Sequence, residues 1–448
     1  MTGIFSPVAH GRGGIHVSYH KHTMDQTPIR MPNPQKVVLP MQQHIGAPCL
    51  PIVNVGDYVK LGQKIGDTDA YLSAPIHASV SGTVTEISPI RLASGKICTG
   101  ITIESDGKMT RFEGNKPPVI TNKQEFLAAV RESGLVGMGG AGFPTHAKLN
   151  IPEDKHVDTI IVNAAECEPY ITVDYREALD NSWDVLSGVH ILKEFLGIKN
   201  IIIAIEDNKP EALKVLKAIA DAHQAIANAH HQSGDGVKIV KMKSNYPQGA
   251  EKMIILSATG RRVPEGGLPI DIGCIVMNIT TVAILARYIK TGRPLTTRSL
   301  TVDGTAMNKG MNVRVPLGTT LQDILDFCGG FKKEPKKVVF GGPMMGSAIY
   351  ELSAPLCKPN NSILAFAEPR TKKETACINC GRCASVCPMS LAPTFIAKAA
   401  KISDTERLKK LGAMSCMECG CCAYSCPAGK PLVQHLRQAK QLIREEKK

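Results

Sequence analysis

The chain has 448 residues, of which 43% are hydrophobic and 21% charged, with 53 Lys and Arg against 40 Asp and Glu. This length exceeds one ordinary domain, and the composition excludes intrinsic disorder and a coiled coil. No run of 18 or more apolar residues is present, so we expect no membrane-spanning helix. The N-terminus lacks the basic and apolar parts of a signal peptide, so we expect the 15 cysteines to lie in the reducing cytoplasm, where dense cysteine favours metal binding.

Residues 1–112 predict short strands separated by Gly and Pro. The stretches VGDYVKLGQKIG and SAPIHASVSGTVTEI resemble the barrel-sandwich hybrid fold of lipoyl and biotinyl domains. Those carriers need a lysine at an exposed hairpin tip, and the corresponding residues 67–72 contain none. We therefore expect a scaffold here and not a swinging arm.

The remaining chain divides into three further units. Residues 113–295 alternate amphipathic helices with apolar strands, which predicts an α/β layer domain with a parallel sheet. Residues 296–362 have a strand, strand, helix, strand pattern, which predicts a β-grasp module, and residues 363–448 combine helical patterns with two cysteine clusters that form an internal repeat. The predicted fold class is thus multi-domain α/β: a β barrel-sandwich, an α/β domain, a β-grasp module and a helical C-terminal domain.

The two cysteine clusters each follow the spacing Cys-x2-Cys-x2-Cys-x3-Cys-Pro, which is the run of two-cluster bacterial ferredoxins. Three thiolates two residues apart can hold one face of a cubane, while the fourth, followed by proline, is directed to the neighbouring cluster. The resemblance implies Cys377, Cys380, Cys383 and Cys426 as ligands of one [4Fe-4S] cluster, and Cys416, Cys419, Cys422 and Cys387 as ligands of the other.

A pair of zinc sites is the alternative for these motifs. Structural zinc sites usually separate two close pairs of ligands by a dozen or more residues, and four ligands within eleven residues fit that pattern poorly. Cys421 is adjacent to Cys422, but only Cys422 reproduces the spacing of the first motif. We expect Cys421 and the six cysteines before Cys377 to be bystanders.

The positive charge is concentrated in the same C-terminal segment. Residues 370–448 contain 15 Lys and Arg against 6 Asp and Glu. Two oxidised [4Fe-4S] clusters with their thiolates carry about −4, which offsets less than half of this surplus. The remainder fits an acidic redox partner such as a ferredoxin, or an anionic membrane face, better than nucleic acid, because no aromatic residues are interleaved with the basic ones.

A glycine-rich loop is the first candidate binding site in the α/β domain. Gly137, Gly139, Gly140 and Gly142 match G-x-G-x-x-G, but the fingerprint of a dinucleotide fold must follow a strand and open a helix. Here a predicted helix precedes the glycines and Phe143-Pro144 follows them. Glycines still allow backbone N–H groups to approach a phosphate, so a flavin or nucleotide cradle is the alternative we favour.

An acidic loop follows the first predicted strand of this domain. Asn163, Glu166 and Glu168 lie at the end of TIIVNAAE, where open α/β sheets bind ligands. Two carboxylates two residues apart also occur in ordinary solvated loops. The pattern alone leaves both interpretations open.

The two loops together carry a family resemblance. GMGGAGFPTHAK and VNAAECEPYITVDYR resemble the FMN- and NADH-binding loops of the flavoprotein subunit of respiratory complex I, and are more similar still to the C subunit of the Rnf complex. The Rnf resemblance covers nearly the whole chain, including GGIH, APIHASVSGTV, GGPMMG and the paired cysteine motifs. The cobalamin-reductase-like flavoproteins of microcompartments have related motifs but place the sandwich late, whereas here it comes first.

The resemblance assigns roles to single residues. Asn163, Glu166 and Glu168 would line the flavin ring and the nicotinamide ribose. Three departures from the complex I pattern affect these contacts: Ala165 and Ala250 replace acidic residues, and Met277 replaces one of two paired asparagines. The full set of implied FMN and NAD(H) ligands is Gly137, Gly139, Gly140, Gly142, Phe143, Lys148, Asn163, Glu166, Glu168, Tyr246, Gly249, Glu251, Asn278 and Thr281.

The resemblance also implies a function. NADH gives up two electrons as a hydride, iron-sulfur clusters accept one at a time, and a flavin does both, so no side chain is needed as a catalytic nucleophile or base. We expect an NADH-oxidoreductase subunit of an ion-translocating ferredoxin:NAD oxidoreductase, peripheral on the cytoplasmic face of the cell membrane. Its implied partners are the membrane subunits, the ferredoxin-like B subunit and ferredoxin. The alternatives are a soluble cobalamin-reductase-like protein and a non-catalytic electron-wire scaffold.

Overall fold

The structure is a computed structural model that describes residues 4–5, 13–229, 237–369 and 372–446. Its N-terminal region contains short strands, as predicted. They are β1 (Ile4–Phe5), β2 (Ile29–Arg30), β3 (Lys36–Pro40), β4 (Leu50–Pro51), β5 (Tyr58–Val59), β6 (Lys64–Asp67), β7 (Ile76–His77), β8 (Gly82–Arg91) and β9 (Ile97–Ser105).

The barrel-sandwich consists of two antiparallel sheets, one in the order β3-β9-β8-β5 and the other in the order β4-β6-β7. Alternate residues of each strand face the interior, as the period of two requires. Val37 lies opposite Ile103, and Leu39 lies opposite Ile101, and all four side chains are fully buried. These cross-strand pairs form the centre of the core of this unit.

The first two strands pair outside the sandwich. β1 pairs in parallel with a strand of the α/β domain, and β2 pairs in parallel with a strand of the β-grasp module. The chain from Gly13 to Met24 runs between these units. Within the predicted 1–112 unit, the described residues 4–5 and 13–30 therefore contact the neighbouring units, and the exact unit boundaries stay predictions.

The α/β domain contains the alternating elements that the sequence predicts. They are α1 (Lys123–Glu132), α2 (Thr145–Leu149), β10 (Thr159–Ala164), α3 (Val173–Asp180), α4 (Ser182–Leu196), β11 (Asn200–Glu206), α5 (Pro210–Ala229), β12 (Lys238–Met242), α6 (Glu251–Thr259), a 3-10 turn (Pro269–Ile272), β13 (Cys274–Asn278) and α7 (Ile279–Thr291). The sheet is parallel throughout, with the order β1-β12-β11-β10-β13.

Helices cover both faces of this sheet, which explains its continuous apolar strands. In β10, Ile160 and Val162 belong to one core cluster, and Ile161 belongs to the cluster on the opposite face. On one face α4 packs closely against α7, because a side chain at Gly188 would lie 2.3 Å from the Val282 carbonyl. The carboxyl ends of β10 and β13 are adjacent in this arrangement.

The β-grasp module completes a six-stranded sheet in the order β17-β16-β18-β14-β15-β2. Thr320 caps its single helix by accepting a hydrogen bond from the Asp323 N–H. The predicted strand, strand, helix, strand pattern is present, and β18 crosses the predicted boundary at residue 362. The elements are β14 (Thr297–Asp303), β15 (Met311–Pro316), α8 (Leu321–Phe327), β16 (Lys337–Phe340), β17 (Ser347–Ala348) and β18 (Ser362–Phe366).

The C-terminal domain is helical and internally repeated. In each half a glycine in the left-handed region, Gly381 or Gly420, precedes a short helix, and a longer helix follows. None of the helices in the described residues is long and apolar enough to cross a membrane. The elements are α9 (Arg382–Ser385), α10 (Pro393–Lys401), α11 (Thr405–Lys410), a 3-10 turn (Ala413–Ser415), α12 (Cys421–Ser425) and α13 (Leu432–Glu445).

Candidate functional site

The glycine loop is closed by backbone hydrogen bonds at its base. Gly137 N–H donates to the Phe143 carbonyl at 2.9 Å, and Val136 pairs with Pro144. α1 precedes the loop and the five-residue α2 follows it. No strand of the parallel sheet leads into the loop. The loop therefore lacks the strand-loop-helix connectivity of a dinucleotide fingerprint, as predicted.

Two glycines of the loop differ in their surroundings. A Cβ added at Gly139 would lie 2.7 Å from the Asn278 amide nitrogen, so the backbone lies directly against the start of α7. A Cβ added at Gly140 would meet no atom within 4 Å. The backbone at Gly140 is therefore open to a ligand, as a phosphate cradle requires.

The carboxyl edge of the sheet brings predicted residues together from distant parts of the chain. Asn163 donates to the Gly249 carbonyl at 2.8 Å, and Thr281 Oγ1 accepts from the Met138 N–H at 3.0 Å. Lys148 and Glu251 form an ion pair at 2.8 Å. These residues converge because the carboxyl ends of parallel strands share one edge.

The acidic loop uses its two carboxylates differently. Glu166 accepts hydrogen bonds from the N–H groups of Asp174 (2.7 Å) and Tyr175 (3.2 Å) at the start of α3. Glu168 accepts from the N–H groups of Met344 (3.1 Å) and Met345 (2.8 Å) in the GGPMMG turn of the β-grasp module. Burial raises the pKa of each carboxyl to about 7, against the lowering effect of these N–H groups.

A cavity of about 540 Å³ lies where three units meet. Its volume is within the range of small-molecule and cofactor sites. Of the predicted ligands, Gly139, Gly140 and Glu168 are among the described residues that line it. The remaining lining comes mainly from the barrel-sandwich (residues 42–44 and 92–94) and from the β-grasp module (residues 340–342, 345–348, 355, 357 and 359–361).

The sequence alone did not predict those lining residues. The only sequence feature that pointed to them was the GGPMMG motif of the β-grasp module, which is part of the family resemblance. Gly342 in this motif is in close contact with the acidic loop, since an added Cβ would lie 2.0 Å from Glu168 Oε2. An open glycine loop, a polar edge and an enclosing cavity fit a phosphorylated flavin.

Tyr246 lies apart from the cavity lining. It is almost fully buried, its hydroxyl donates to the Cys419 carbonyl at 2.7 Å, and it lies 3.5 Å from Glu168 Oε1. The resemblance assigned Tyr246 to nucleotide binding, and the structure adds a contact between this residue and the second cysteine motif. Phe143 is half-buried in the glycine loop.

The thiols predicted for the second cluster border one small cavity. Cys387 lies there with Cys416, Cys419 and Cys422, and the apolar walls include Leu391, Val433 and Leu436. An all-sulfur donor set in an apolar shell fits an iron-sulfur cluster. Cys421 also borders this cavity, with its thiol 3.9 Å from the Tyr246 carbonyl.

The thiols predicted for the first cluster lie nearer the surface. Cys380 is exposed, and Cys377 is partly exposed. Cys383 lies 3.0 Å from the Thr394 hydroxyl and packs against the helical core that contains Cys426. None of the fifteen cysteines forms a disulfide bond.

Comparison with protein-family models divides the chain as the fold does. The RnfC Barrel sandwich hybrid domain matches residues 9–108, the Nuo51 FMN-binding domain residues 130–287, the SLBB domain residues 300–348, and the 4Fe-4S dicluster domain residues 376–430. The predicted fold class is confirmed. The predicted FMN and two [4Fe-4S] clusters are confirmed at the level of these domain families.

Two relatives match over most of their length. The C subunit of the proton-translocating ferredoxin:NAD+ oxidoreductase complex of Clostridium ljungdahlii is 44% identical, and the match covers 86% of this chain and 83% of that one. The C subunit of the Na+-translocating complex of Acetobacterium woodii is 40% identical over 97% of this chain and 98% of its own. The chain belongs to the RnfC family. This confirms the predicted resemblance and sets aside the cobalamin-reductase-like alternative.

The fold of this RnfC family member also resembles that of a solved structure. A chain of an NAD+-reducing [NiFe]-hydrogenase in the H2-reduced state superposes with a TM-score of 0.51 at 19% identity. The match covers 72% of this chain and 62% of that one. At this identity the likeness shows a shared fold alone.

Proposed function

We propose that this chain exchanges hydride between NAD(H) and FMN and passes single electrons through two [4Fe-4S] clusters, as part of an ion-translocating ferredoxin:NAD oxidoreductase. Membership of the RnfC family supports the electron-transfer role. The observation that carries the proposal is the direct contact between Tyr246 and Cys419, because it joins the acidic loop to a cluster ligand. FMN, when bound, would supply the conversion between two-electron and one-electron transfer.

The glycine loop and the carboxyl edge would hold the flavin. The open backbone at Gly140 supports a phosphate contact, and Lys148 would add a positive charge to it. Asn163 and Asn278 would contact the ring from the ends of β10 and β13. The other proposed FMN and NAD(H) ligands are Gly137, Gly139, Gly142, Phe143, Glu166, Glu168, Tyr246, Gly249, Glu251 and Thr281.

NAD(H) would enter the cavity between the barrel-sandwich and the β-grasp module. Glu168 lines this cavity and is fixed by two backbone N–H groups, so it would orient the nicotinamide ribose by accepting hydrogen bonds. The chain's own part in the reaction would be to bind, orient and exclude water. No side chain is required to form a bond to the substrate.

The C-terminal domain would connect the flavin site to partners. We propose Cys377, Cys380, Cys383 and Cys426 as ligands of one cluster, and Cys416, Cys419, Cys422 and Cys387 as ligands of the other. The basic surplus of residues 370–448 supports docking to acidic partners, namely the ferredoxin-like B subunit or ferredoxin, beside the membrane subunits. The chain would then be peripheral on the cytoplasmic face of the membrane.

An anaerobic NADH titration tests the proposal. The full chain, reconstituted with iron, sulfide and FMN, should lose flavin absorbance and then cluster absorbance as NADH is added, with cluster signals appearing in EPR spectra. Stoichiometric FMN binding without NADH-dependent bleaching would instead support the non-catalytic scaffold. The replacements at Ala165, Ala250 and Met277 are the observation that supports the non-catalytic scaffold as a second candidate.

A further inference from the structure

The N-terminal arm, residues 13–24, lies between the ferredoxin-like domain and the flavin domain. Gly14 N–H donates to the Val386 carbonyl at 2.9 Å, next to the cluster ligand Cys387. Ile15 pairs with Tyr246 through two backbone hydrogen bonds of 2.8 and 3.0 Å. These hydrogen bonds of Gly14 and Ile15 therefore fix the N-terminal end of the arm, and the residues that follow reach the acidic loop.

Within the described structure, the side chain of Lys21 in this arm forms hydrogen bonds only with the acidic loop. Its ammonium group donates to three backbone carbonyls: those of Glu166 (2.8 Å), Glu168 (2.8 Å) and Ile171 (2.5 Å). An ammonium group has three N–H donors, and the loop offers three acceptors at one point. This match favours the charged form, while burial lowers the pKa of Lys21 and the Glu166 carboxylate opposes that decrease.

The backbone of the acidic loop has an unfavourable conformation that the hydrogen bonds of Lys21 would stabilise. Glu166 and Tyr170 have φ angles of 49° and 71°, in the left-handed region that non-glycine residues seldom adopt. Of the three carbonyls that Lys21 binds, that of Glu166 belongs to one of these residues, that of Ile171 is adjacent to the other, and that of Glu168 lies midway between them. The arm also holds Tyr170 directly, because the Tyr170 N–H donates to the Tyr19 carbonyl at 2.8 Å.

The loop conformation determines where the two carboxylates lie. Glu166 is directed to the start of α3, and Glu168 is directed to the GGPMMG turn and the cavity. A loop that relaxed its two left-handed residues would turn both side chains away from these N–H donors. The cavity lining would then lose Glu168.

We propose that Lys21 is the positioning residue of the acidic loop, holding Glu166 and Glu168 in the geometry that the flavin site needs. The proposal rests on the proposed FMN site for its effect on cofactor binding. The effect on the loop itself does not depend on FMN. The inference also assigns the N-terminal arm a direct part in building the site.

Three variants of the full chain with reconstituted clusters test this role. Lys21→Met removes the charge and the donors, and Lys21→Arg keeps both. Lys358→Met is the matched control, because Lys358 is also buried and donates to two carbonyls, Pro75 (2.6 Å) and Gly134 (2.7 Å), away from the acidic loop. Lys358→Met therefore reports the cost of losing a buried lysine as such.

The first measurement is hydrogen exchange of residues 163–172 in the protein without FMN. We expect at least about tenfold faster exchange in Lys21→Met, little change in Lys358→Met and partial rescue in Lys21→Arg. Unchanged exchange in Lys21→Met would overturn the inference. This arm gives its result whether or not the chain binds FMN.

The second measurement is FMN binding and the FMN midpoint potential. We expect about tenfold weaker binding in Lys21→Met and a shifted potential, because the acidic loop would no longer hold Glu166 and Glu168 in place. Weaker FMN binding in Lys21→Met together with faster hydrogen exchange across the whole chain would show a merely structural role and overturn the inference. Wild-type protein that binds no FMN would contradict the proposed function and leave the exchange result to decide on Lys21.

Discussion

The hydroxyl of Tyr246, in the flavin domain, donates a 2.7 Å hydrogen bond to the backbone carbonyl of Cys419, in the second cysteine motif. Burial raises the pKa of Tyr246, so the hydroxyl keeps its proton and remains a donor at all ordinary pH values. Cys380 of the first motif is exposed. The second motif therefore lies against the flavin domain, and the first motif faces outward.

Replacing Tyr246 by Phe should weaken the junction between these domains. The Cys419 carbonyl would lose its buried donor, which costs about 1 to 3 kcal/mol. We expect denaturant-induced loss of cluster absorbance at lower denaturant concentration and slower NADH-dependent cluster reduction in stopped-flow experiments. Tyr424→Phe, on the exposed side of α12, is the control. Equal behaviour of the two variants would contradict the prediction.

The crossed ligation of the clusters can be tested with serine substitutions. Because Cys387 borders the same cavity as Cys416, Cys419 and Cys422, Cys387→Ser should change the EPR signal of the second-motif cluster. Cys380→Ser should change the signal of the first. Cys98→Ser, in the barrel-sandwich, should change neither. If Cys387→Ser and Cys380→Ser alter one and the same cluster, each motif is self-contained and our ligand assignment is wrong.

Lys148 should contribute to cofactor affinity. We expect Lys148→Ala to weaken binding of FMN or NADH by about 1.5 to 3 kcal/mol, the range for a hydrogen bond to a charged group, with iron content unchanged. Isothermal titration with each ligand measures the effect. Lys155→Ala removes a comparable exposed lysine paired with Asp271 at 3.0 Å and should leave both affinities unchanged. Equal affinities in wild type and Lys148→Ala would show that this lysine does not contact either ligand.

Glu168 should take up a proton near neutral pH. Burial raises its folded-state pKa to about 7, so the folded chain binds more protons than the unfolded chain between about pH 4.5 and pH 7. Stability from this group therefore decreases as pH rises through that window, by at most about 1.4 kcal/mol per pH unit. Infrared difference spectra of flavin-free protein between roughly pH 5.5 and pH 8.5 should contain a protonated-carboxyl band that Glu168→Gln weakens, with the Glu166 carboxyl, whose pKa is also raised to about 7, accounting for the remainder. An unchanged band in that variant would assign the proton to another group.

Local patterns were sufficient for the fold class and the two iron-sulfur clusters, whereas FMN was implied by the family resemblance of the glycine and acidic loops. Ligand spacing within each cysteine motif is a short-range property, because each motif lies within about a dozen positions. The alternation of helices and strands likewise follows from hydrophobic period. Domain order then decided between related families, since the sandwich precedes the flavin loop.

Contacts between residues far apart in the chain could not be predicted from those patterns. In the sequence, Lys21 is one basic residue among histidines, and its three carbonyl partners lie some 150 positions away. Tyr246 carries the residue type that the complex I resemblance requires, yet its hydroxyl is bonded to a carbonyl 173 residues later. Such contacts depend on how folded domains pack against each other. The hydrophobic periodicity of a segment does not specify which surface of its domain will contact another domain.

The sequence by itself therefore determined which chemistry this protein carries: two ferredoxin motifs set by residue type and spacing, and a glycine loop and an acidic loop whose family resemblance implies FMN. The tertiary structure alone decided how these parts are joined. It placed Glu168 against the GGPMMG turn, Tyr246 against Cys419, and the N-terminal arm between the domains. The physical reason is that backbone N–H and C=O groups make most of these contacts, and every residue type except proline carries both groups, so the contacts leave no mark in the sequence.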